Sequence, residues 1–254
     1  CGNADDPWTP RLIKNATCRM MCYSTKSAAD LTAEHIALHS DGVEFDAVSG
    51  GERAHVRLGI PGAFTVYNAL GVIQAAQALG LPLEKIAAAL STAQGVKGRA
   101  EVVPTPGKDY TVLIDYSHTP DSLENILKTV RGFCRGHVIA VFGCGGDRDP
   151  FKRPIMGGIA ARLADVAVVT SDNPRTEDPN EIIRQIVAGM DGAKTPPTVI
   201  ENRPKAIEWA MDHAEPGDVI VLCGKGHETY QEIGHEKRHL DEREVVASYL
   251  ERTL

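Results

Sequence analysis

The sequence has few of the features that mark membrane, secreted or nucleic-acid-binding proteins. Its apolar runs fall well short of the roughly 18 residues that a membrane-spanning helix needs, and no signal-peptide pattern opens it. The net charge is −7, so the chain lacks the basic excess that nucleic acids and anionic membranes attract. We therefore expect neither a nucleic acid nor a membrane as a partner.

Cysteine pairs with metal-ligand spacing are also missing. Of the six cysteines, Cys18 and Cys22 alone form a near pair, and nothing His-rich follows them at finger spacing. Free thiols in a reducing cytoplasm are the expected state. We predict no metal site in this chain.

What is present is the composition of a globular protein, 43% hydrophobic and 24% charged. Its 254 residues suffice for one large or two ordinary domains. From about residue 108 onward, apolar runs typical of strands alternate with helical periodicities. The runs cover residues 110–115, 137–143, 165–171, 198–201 and 218–224. This alternation predicts an α/β fold, with a mostly parallel sheet and helices on both faces.

The first hundred residues lack this rhythm. Val43–Ser49 and Arg53–Leu58 flank two glycines and predict a hairpin. Two helices, over about 62–79 and 83–92, should follow, and Gly95–Gly98 suggests a hinge. We expect the chain to begin inside a domain.

Ligands of parallel sheets sit beyond the carboxyl ends of the strands, and the loops predicted there are unusually polar. After the first strand, Thr119 and Pro120 suffice to start a helix, which leaves Asp115 and His118 unexplained. The second loop, GCGGDRD, combines glycines with Arg148, and Lys152 and Arg153 follow. Glycines allow a close backbone approach, so an anionic ligand fits better than a plain turn.

The third loop, TSDNPRTEDP, ends in an ordinary helix start, with Asp178 as cap, Pro179 at the first helical position and Glu181 three residues after the cap. A turn does not need Arg175. After the fifth strand, GKGHE is again richer in charge than a turn requires. Polar loops gathered in this way at a common edge predict a ligand site.

Together, DYSHTPDSLEN, FGCGGDRDPFKRP, TSDNPRTEDP and GKGHETYQ resemble the motifs of the Mur ligases. Asn3–Asp6, Gly62 with Asn68, and Gly98–Glu101 resemble the end of that family's central domain. The resemblance implies a remnant of the central, ATP-binding domain over 1–98 and a Rossmann-like C-terminal domain over 99–254. The GxxxxGK[ST] phosphate loop is missing. Magnesium ligands and a carbamylated lysine are therefore expected outside this chain, which alone should be inactive.

The motifs are most similar to those of the family members that extend the peptidoglycan stem peptide by its third residue. The resemblance implies a cytoplasmic, monomeric enzyme that uses ATP and Mg²⁺ to phosphorylate the D-glutamyl carboxylate of UDP-MurNAc-L-Ala-D-Glu. An amine of meso-diaminopimelate then attacks the acyl phosphate. By resemblance, Arg175 pairs with the distal carboxylate of that amino acid. The implied diaminopimelate-binding residues are Arg148, Asp172, Asn173, Pro174, Arg175, Gly224 and Glu228.

For the nucleotide, the resemblance implies contacts of Asn68 with adenine, Arg99 with phosphate and Asp115 with ribose. His118 and Lys152 are expected to support the phosphate side. Three residues depart from the family pattern: Thr65 stands in place of a common Asn, Ser117 in place of Ala, and Ala100 in place of a larger apolar residue.

Four alternatives stay open at this point. A nicotinamide-dependent dehydrogenase is disfavoured, because Arg148 stands where GxGxxG needs its third glycine. In a lysine-adding relative, Arg175 would have no distal carboxylate to bind, since L-lysine has no second carboxylate. A folylpolyglutamate or cyanophycin synthetase, and a non-catalytic ligase-like binding module, are the others.

Overall fold

The computed structural model describes residues 1–93, 95–193 and 195–253, which fall into two compact units. Unit 1 comprises residues 1–94 and unit 2 comprises residues 95–254. Gly95–Gly98, predicted as a hinge, thus belongs to unit 2. Gly98 is buried there at a φ of +73°, and a Cβ on it would lie 2.2 Å from the carbonyl carbon of Gly226. Two backbone segments therefore meet at this glycine.

Unit 1 is built on a mixed sheet. Its strands lie side by side in the order β1 (Gly2–Asn3), β2 (Cys22–Ser24), β3 (Leu31–His39), β4 (Gly42–Ser49) and β5 (Glu52–Leu58). The first three run parallel, whereas β3, β4 and β5 are antiparallel. The predicted β4–β5 hairpin is confirmed, and its turn places Gly50 and Gly51 at positive φ, as hairpin turns of this length require.

Two helices, α2 (Ala63–Ala78) and α3 (Leu83–Leu90), cover the inner face of this sheet. The short helix α1 (Thr9–Ile13) is joined to β1, since the Thr9 hydroxyl donates to the main-chain oxygen of Asn3 at 2.5 Å. Both predicted helices, α2 and α3, are confirmed. Alternate residues of the strands, such as Phe45 and Val56, pack with Leu70 and Ile73 of α2 and Ile86 of α3 in one hydrophobic core. Strands β1 and β2 are two and three residues long, too short to give a sequence pattern.

Unit 2 contains the predicted sheet. Its strands are β6 (Glu101–Val103), β7 (Thr111–Asp115), β8 (Val138–Phe142), β9 (Val166–Val169), β10 (Thr198–Val199) and β11 (Val219–Cys223), in the spatial order β10-β9-β8-β11-β7-β6. Five of them are parallel, and β6 pairs antiparallel with β7 at one edge. All five predicted strands are present.

Helices lie on both faces of this sheet: α4 (Pro120–Arg131), α5 (Lys152–Leu163), α6 (Pro179–Val187), α7 (Arg203–Asp212) and α8 (Glu242–Thr253). Val112 and Ile114 pack in one core cluster with residues of α7 and α8. Leu113 between them is fully buried and points to the opposite face, which α4, α5 and α6 cover. The predicted α/β class is therefore confirmed.

A small antiparallel hairpin follows β11, formed by β12 (Tyr230–Ile233) and β13 (Glu236–His239). The sequence did not predict it, because β13 is Glu-Lys-Arg-His and all four residues are exposed. Among the helices of the described ranges, none has both the length and the hydrophobicity that crossing a bilayer requires.

Candidate functional site

A cleft of about 310 Å³ lies at the carboxyl ends of the parallel strands in unit 2. Four loops form it, those that follow β7, β8, β9 and β11. Its lining residues are Tyr116, His118, Thr119, Gly145, Arg148, Asp149, Lys152, Asp172, Asn173, Arg175, Gly224 and Glu228. The structure therefore brings the predicted diaminopimelate-binding residues together, apart from Pro174.

Gly224, the first residue after β11, allows two of these loops to approach each other. Its φ is +114°, and a Cβ on it would lie 2.7 Å from Oδ2 of Asp172. Any side chain at this position would displace the Asp172 carboxylate. The predicted role of Gly224 in binding is thus best explained by the space that it leaves for the Asp172 carboxylate.

The acidic side of the cleft is organised around a lysine. The side chain of Lys225 is fully buried, and its Nζ donates to Oδ1 of Asn173 at 2.6 Å. The same Nζ lies 3.2 Å from Oδ1 of Asp172 and 3.6 Å from Oε2 of Glu228. Asn173 in turn donates from Nδ2 to Oε2 of Glu228 at 2.9 Å. Two carboxylates and an amide are held in one fixed arrangement.

The buried Asp172 is held as a carboxylate. Burial acts to raise its pKa, but the positive charges of Lys225 and Arg203 outweigh this effect and bring the pKa below its usual range. Oδ1 of Asp172 is buried and faces Nζ of Lys225. Asp172 and Glu228 both line the cleft. Because two carboxylates share one internal cation, the cleft offers a position for an ammonium group.

The opposite side of the cleft carries guanidinium groups. Arg175 donates from Nε to Oε2 of Glu232 at 3.0 Å and from Nη1 to the main-chain oxygen of Gly146 at 2.7 Å. Its Nη2 donates to no described residue. The end of the guanidinium that bears Nη1 and Nη2 thus retains N–H groups for a carboxylate.

The backbone of Arg175 is held by β12. Its N–H donates to the main-chain oxygen of Glu232 at 3.0 Å, and its own oxygen accepts from Gly234 at 2.7 Å. These bonds hold Arg175 at a φ of +49°, a conformation that costs a non-glycine residue about 1–2 kcal/mol. The hairpin therefore fixes the direction in which this side chain leaves the loop.

Two further cations lie at the cleft. Arg148 is exposed and makes no hydrogen bond or ion pair to any residue that the structure describes. Nζ of Lys152 donates to the main-chain oxygen of His118 at 2.7 Å, and the His118 ring packs on Tyr116 with centroids 4.6 Å apart. Arg148 is available to an anion, whereas Lys152 also joins two loops of the cleft.

Arg153, predicted to be a third cation of this loop, is structural. It is 1% exposed and pairs with Glu177 through two nitrogens, Nη1 at 2.9 Å and Nη2 at 2.8 Å. This pair ties the start of α5 to the loop of Arg175. Pro174 precedes Arg175 in this loop and is buried, and its main-chain oxygen lies close to Gly146.

The start of α6 matches its prediction in part. Asp178 accepts from the N–H of Asn180 at 2.9 Å, and Pro179 stands at the first helical position. Glu181, however, pairs with Arg184 and Gln185 along the helix instead of turning back to the cap. The predicted capping box is therefore absent here, because two nearer donors take the Glu181 carboxylate.

The predicted nucleotide-binding residues are distributed over both units. In unit 1, Asn68 lies on the exposed side of α2. In unit 2, Arg99 is exposed above the Tyr116 ring, 5.2 Å from its centroid. The Asp115 carboxylate accepts from the N–H of Ala100 at 2.8 Å and from the hydroxyl of Ser117. A ribose would share this carboxylate with two internal donors.

The three departures from the family pattern have local explanations. Ser117 adds the hydroxyl donor to Asp115. Ala100 is buried at a φ of +44°, where a small side chain is tolerated best. The hydroxyl of Thr65 donates to the main-chain oxygen of Pro61 at 3.3 Å.

Two kinds of chemistry are not supported by the described residues. Burial raises the pKa of Cys144, next to the cleft, to about 12, so its thiol is no nucleophile at neutral pH. Within the described ranges, no three His, Cys, Asp or Glu side chains are grouped as a metal ion would require. That magnesium ligands lie outside this chain stays a prediction.

A larger groove, of about 790 Å³, lies between β5 and α3 in unit 1. Its basic side chains already have partners, since Arg53 pairs with Glu34 and Asp46, and Arg57 pairs with Glu44. These pairs are on the surface and leave no buried polar group facing the groove. The smaller cleft in unit 2 is the better candidate site.

Three residues that matter at the cleft were missed from the sequence: Lys225, Glu232 and Arg203. Arg203 is fully buried and donates from Nε to Oε1 of Glu242 at 2.8 Å and from Nη2 to the main-chain oxygen of Cys223 at 2.8 Å. The loop before α7 gave no functional signal. For Lys225, the position between two glycines was a signal, since a lysine only two residues after a buried strand has little access to solvent.

Comparison with known proteins places this geometry in a family. The model of the Mur ligase glutamate ligase domain matches residues 98–226, and that of the Mur ligase middle domain matches residues 2–76. The chain belongs to the Mur ligase family. The residues that line its cleft, apart from Glu228, lie within the part that matches the first of these two domains.

Several curated Mur ligases are similar along nearly the whole chain. One is UDP-N-acetylmuramoyl-L-alanyl-D-glutamate–2,6-diaminopimelate ligase 1 of Clostridium acetobutylicum, 48% identical over 98% of this chain and 51% of the relative. The diaminopimelate ligase of Synechococcus elongatus is 47% identical over 95% of this chain and 49% of its own. The chain thus spans about half the length of the curated relatives it matches.

Solved structures of Mur ligases are also similar to this chain. A UDP-N-acetylmuramoyl-L-alanyl-D-glutamate–2,6-diaminopimelate ligase has a TM-score of 0.79 and 33% identity, covering 99% of this chain and 52% of the other. MurF from Acinetobacter baumannii, at 19% identity and a TM-score of 0.66, covers 98% of this chain and 51% of its own, and shares the fold.

Proposed function

We propose that this Mur ligase chain supplies the amino-acid-binding domain of an ATP-dependent ligase. That enzyme would add meso-diaminopimelate to UDP-N-acetylmuramoyl-L-alanyl-D-glutamate, a step of peptidoglycan precursor synthesis in the cytoplasm, and would act as a monomer. The observation that carries the proposal is the presence, in one cleft, of the buried Asp172 carboxylate and of Arg175, whose guanidinium has N–H groups that donate to no described residue. The relatives' names support the same assignment.

The cleft matches one end of an amino acid. An α-ammonium group placed at Asp172 and Glu228 would lie beside two carboxylates that line the cleft. The carboxylate on the same carbon would face Arg175, which can donate from Nη1 and Nη2 together. Arg148, exposed and unpaired with any described residue, adds a second cation. L-lysine has only an ammonium at its far end and would offer no carboxylate to the remaining N–H groups of Arg175.

The chemistry places the two ends of diaminopimelate in different roles. ATP would phosphorylate the D-glutamyl carboxylate, and the amine at the free end would attack the acyl carbon and expel phosphate. Holding the far end in the cleft restricts the position of the attacking amine, which raises its effective concentration at the acyl phosphate. Residues of this chain bind and orient, and no described residue is assigned to the phosphoryl transfer. Binding of the nucleotide through Asn68, Arg99 and Asp115 is part of the proposal.

The test is a titration of the chain with meso-diaminopimelate and L-lysine, followed by ligand-observed NMR at millimolar concentrations. We expect weak binding of diaminopimelate, reduced about tenfold or more in Arg175→Ala because a charged hydrogen-bonded pair is lost. Arg175→Lys should recover little, since an ammonium cannot make two parallel bonds. L-lysine binding should change little in either variant.

Arg184→Ala is the matched control, since Arg184 is an exposed arginine that pairs with Glu181 away from the cleft. It should bind both amino acids as the parent does. Equal binding of diaminopimelate by the parent and by Arg175→Ala would show that the carboxylate does not bind at Arg175.

A further inference from the structure

Lys225 is a buried cation that faces the cleft from behind. Its side chain is fully buried and does not line the cleft. A lysine ammonium has three N–H donors, and three oxygens surround this one: Oδ1 of Asn173, Oδ1 of Asp172 and Oε2 of Glu228, at 2.6, 3.2 and 3.6 Å. Lys225 cannot reach the ligand, so any role in recognition is exerted through these three groups.

The arrangement also fixes the Asn173 amide. Its Oδ1 accepts from Lys225 and from the main-chain N–H of Glu232, at 3.0 Å, so its Nδ2 must point to Glu228. A reversed amide would place an N–H group against the lysine. Lys225 therefore determines the orientation of a group at the cleft wall as well as its charge.

The charges around Lys225 do not balance. Asp172 and Glu228 contribute two negative charges, and Lys225 contributes one positive charge. The next buried cation, Arg203, is paired with Glu242, so that these two together are neutral. One negative charge therefore remains at the acidic side of the cleft.

We propose that Lys225 sets the number of positive groups that the cleft accepts, because it fills one of two cation positions between Asp172 and Glu228 and leaves the other for a single ligand ammonium. Lys225 is thus a positioning residue that determines specificity. The inference rests on the proposed function, since the ammonium is that of the bound amino acid. Without Lys225, two adjacent carboxylates would have no internal cation and would separate or take up a proton.

The experiment compares two ligands with the same seven-carbon chain. Meso-diaminopimelate carries two carboxylates and two ammonium groups, and pimelate carries the carboxylates alone. Their dissociation constants are measured by ligand-observed NMR for the parent, Lys225→Met, Glu228→Gln and the double variant. The preference is defined as the pimelate dissociation constant divided by that of diaminopimelate, so it reports recognition of the ammonium.

The proposal makes the two substitutions compensate. In the parent, the preference for diaminopimelate should be about tenfold or more. Lys225→Met should lose most of it because the carboxylates repel each other. Glu228→Gln should lose most of it because Lys225 then neutralises Asp172. The double variant again holds one negative charge and should show a greater preference than either single variant.

If Lys225 had only a packing role, the opposite is expected, namely that the losses of preference caused by Lys225→Met and by Glu228→Gln add in the double variant. A double variant with no more preference than Lys225→Met would overturn the proposal. So would failure of both Lys225→Met and the double variant to fold in thermal unfolding, whereas rescue of folding in the double variant would support it. Lys205→Met removes an exposed lysine of unit 2 and should match the parent. If the parent itself does not prefer diaminopimelate, the proposed function fails, and this inference fails with it.

Discussion

In unit 1, charged side chains pair across the solvent face of a sheet, whereas in unit 2 the ion pairs that matter lie behind the loops of the cleft. Asp46 of β4 contacts His35 at 2.9 Å and Arg53 at 3.0 Å, and these two partners are 75% and 48% exposed. Arg203 and Glu242 in unit 2 are both fully buried at a similar distance of 2.8 Å. The geometry of the pairs is alike, but their surroundings differ.

The comparison shows that the distance between two charged groups does not by itself give their contribution to stability. Water and ions screen an exposed pair, so its net contribution is small. A buried pair is costly to form, and removing one partner leaves a charge without compensation. Unit 2 accepts that cost beside its cleft, where buried Asp172 and Lys225 also lie. Buried charge is therefore a feature of the cleft but not of the cleft alone, since Asp218, just before β11, is also buried and accepts from the main-chain N–H groups of His137 and Glu215.

The largest effect is expected from breaking the buried pair. Arg203→Met should destabilise unit 2 by about 3–5 kcal/mol, because the Glu242 carboxylate would remain buried and unpaired. Urea unfolding followed by the fluorescence of Trp209, in α7, reports on this unit. A Trp8→Phe background removes the tryptophan of unit 1, so that the two units are not averaged.

Two controls sharpen this measurement. Arg184→Met removes an arginine from an exposed pair and should leave the midpoint nearly unchanged. The double variant Arg203→Met/Glu242→Met should recover most of the loss, since no lone charge stays buried. A loss for Arg203→Met no greater than that for Arg184→Met would mean that burial does not set the importance of these pairs.

A smaller effect is expected at a glycine that packs against backbone. Gly98→Ala should destabilise unit 2 by about 2–3 kcal/mol, because of both its positive φ and the approach of its Cβ to Gly226. Gly192→Ala is the matched control: its φ is +79°, but no atom of the described residues lies within 4 Å of its Cβ. It should cost about 1 kcal/mol, for backbone conformation alone. Equal losses in urea unfolding would show that the close contact is unimportant.

The smallest effect is expected in unit 1. Hydrogen bonds from His35 and His55, and then the Arg53 guanidinium, lower the pKa of Asp46 from 3.8 to about 2. A carboxylate with a lowered pKa stabilises the fold above its unfolded pKa, and this contribution is lost as the pH falls from about 4 to 2. Asp46→Asn should therefore slightly reduce the stability of unit 1 at pH 6 and weaken its acid dependence.

This variant is followed by acid titration of circular dichroism and Trp8 fluorescence. Asp41→Asn is the control, since Asp41 is an exposed carboxylate 4.0 Å from Arg57. Asp5, whose pKa is also lowered to about 2, leaves some acid dependence in both variants. If Asp46→Asn destabilised unit 1 as strongly as Arg203→Met destabilises unit 2, the contrast between the units would be wrong.

The sheet of unit 2 could be predicted from sequence because strands buried on both faces read as continuous apolar runs. Val138–Phe142 and Val219–Cys223 are examples, and each is buried throughout. Unit 1 was predicted less completely. Strand β3 contains a bulge between Glu34 and Ala37, with His35 at a φ of +52°, which breaks the alternation that a strand prediction needs.

For the cleft, the sequence predicted the loops but not the support behind them. Asp172 and Arg175 stood out because a turn does not require them. Glu232 and Arg203 did not stand out, because their partners are distant in the chain. Glu232 accepts from Arg175, 57 positions away, and Arg203 donates to the main-chain oxygen of Cys223, 20 positions away. Such pairings depend on the tertiary fold, which local patterns do not contain. The binding roles of the lining residues stay predictions.

Gly98 and Gly226 face each other so closely that neither position can gain a side chain independently. A Cβ on Gly226 would lie 2.7 Å from Cβ of Tyr116 and 2.9 Å from the oxygen of Gly98. Substitutions in the first residues of unit 2 and in the loop that carries Lys225 and Glu228 are therefore expected to depend on each other. Related sequences should inherit the two glycines as a pair, and a library randomised at one position should recover larger residues only with changes in the facing segment.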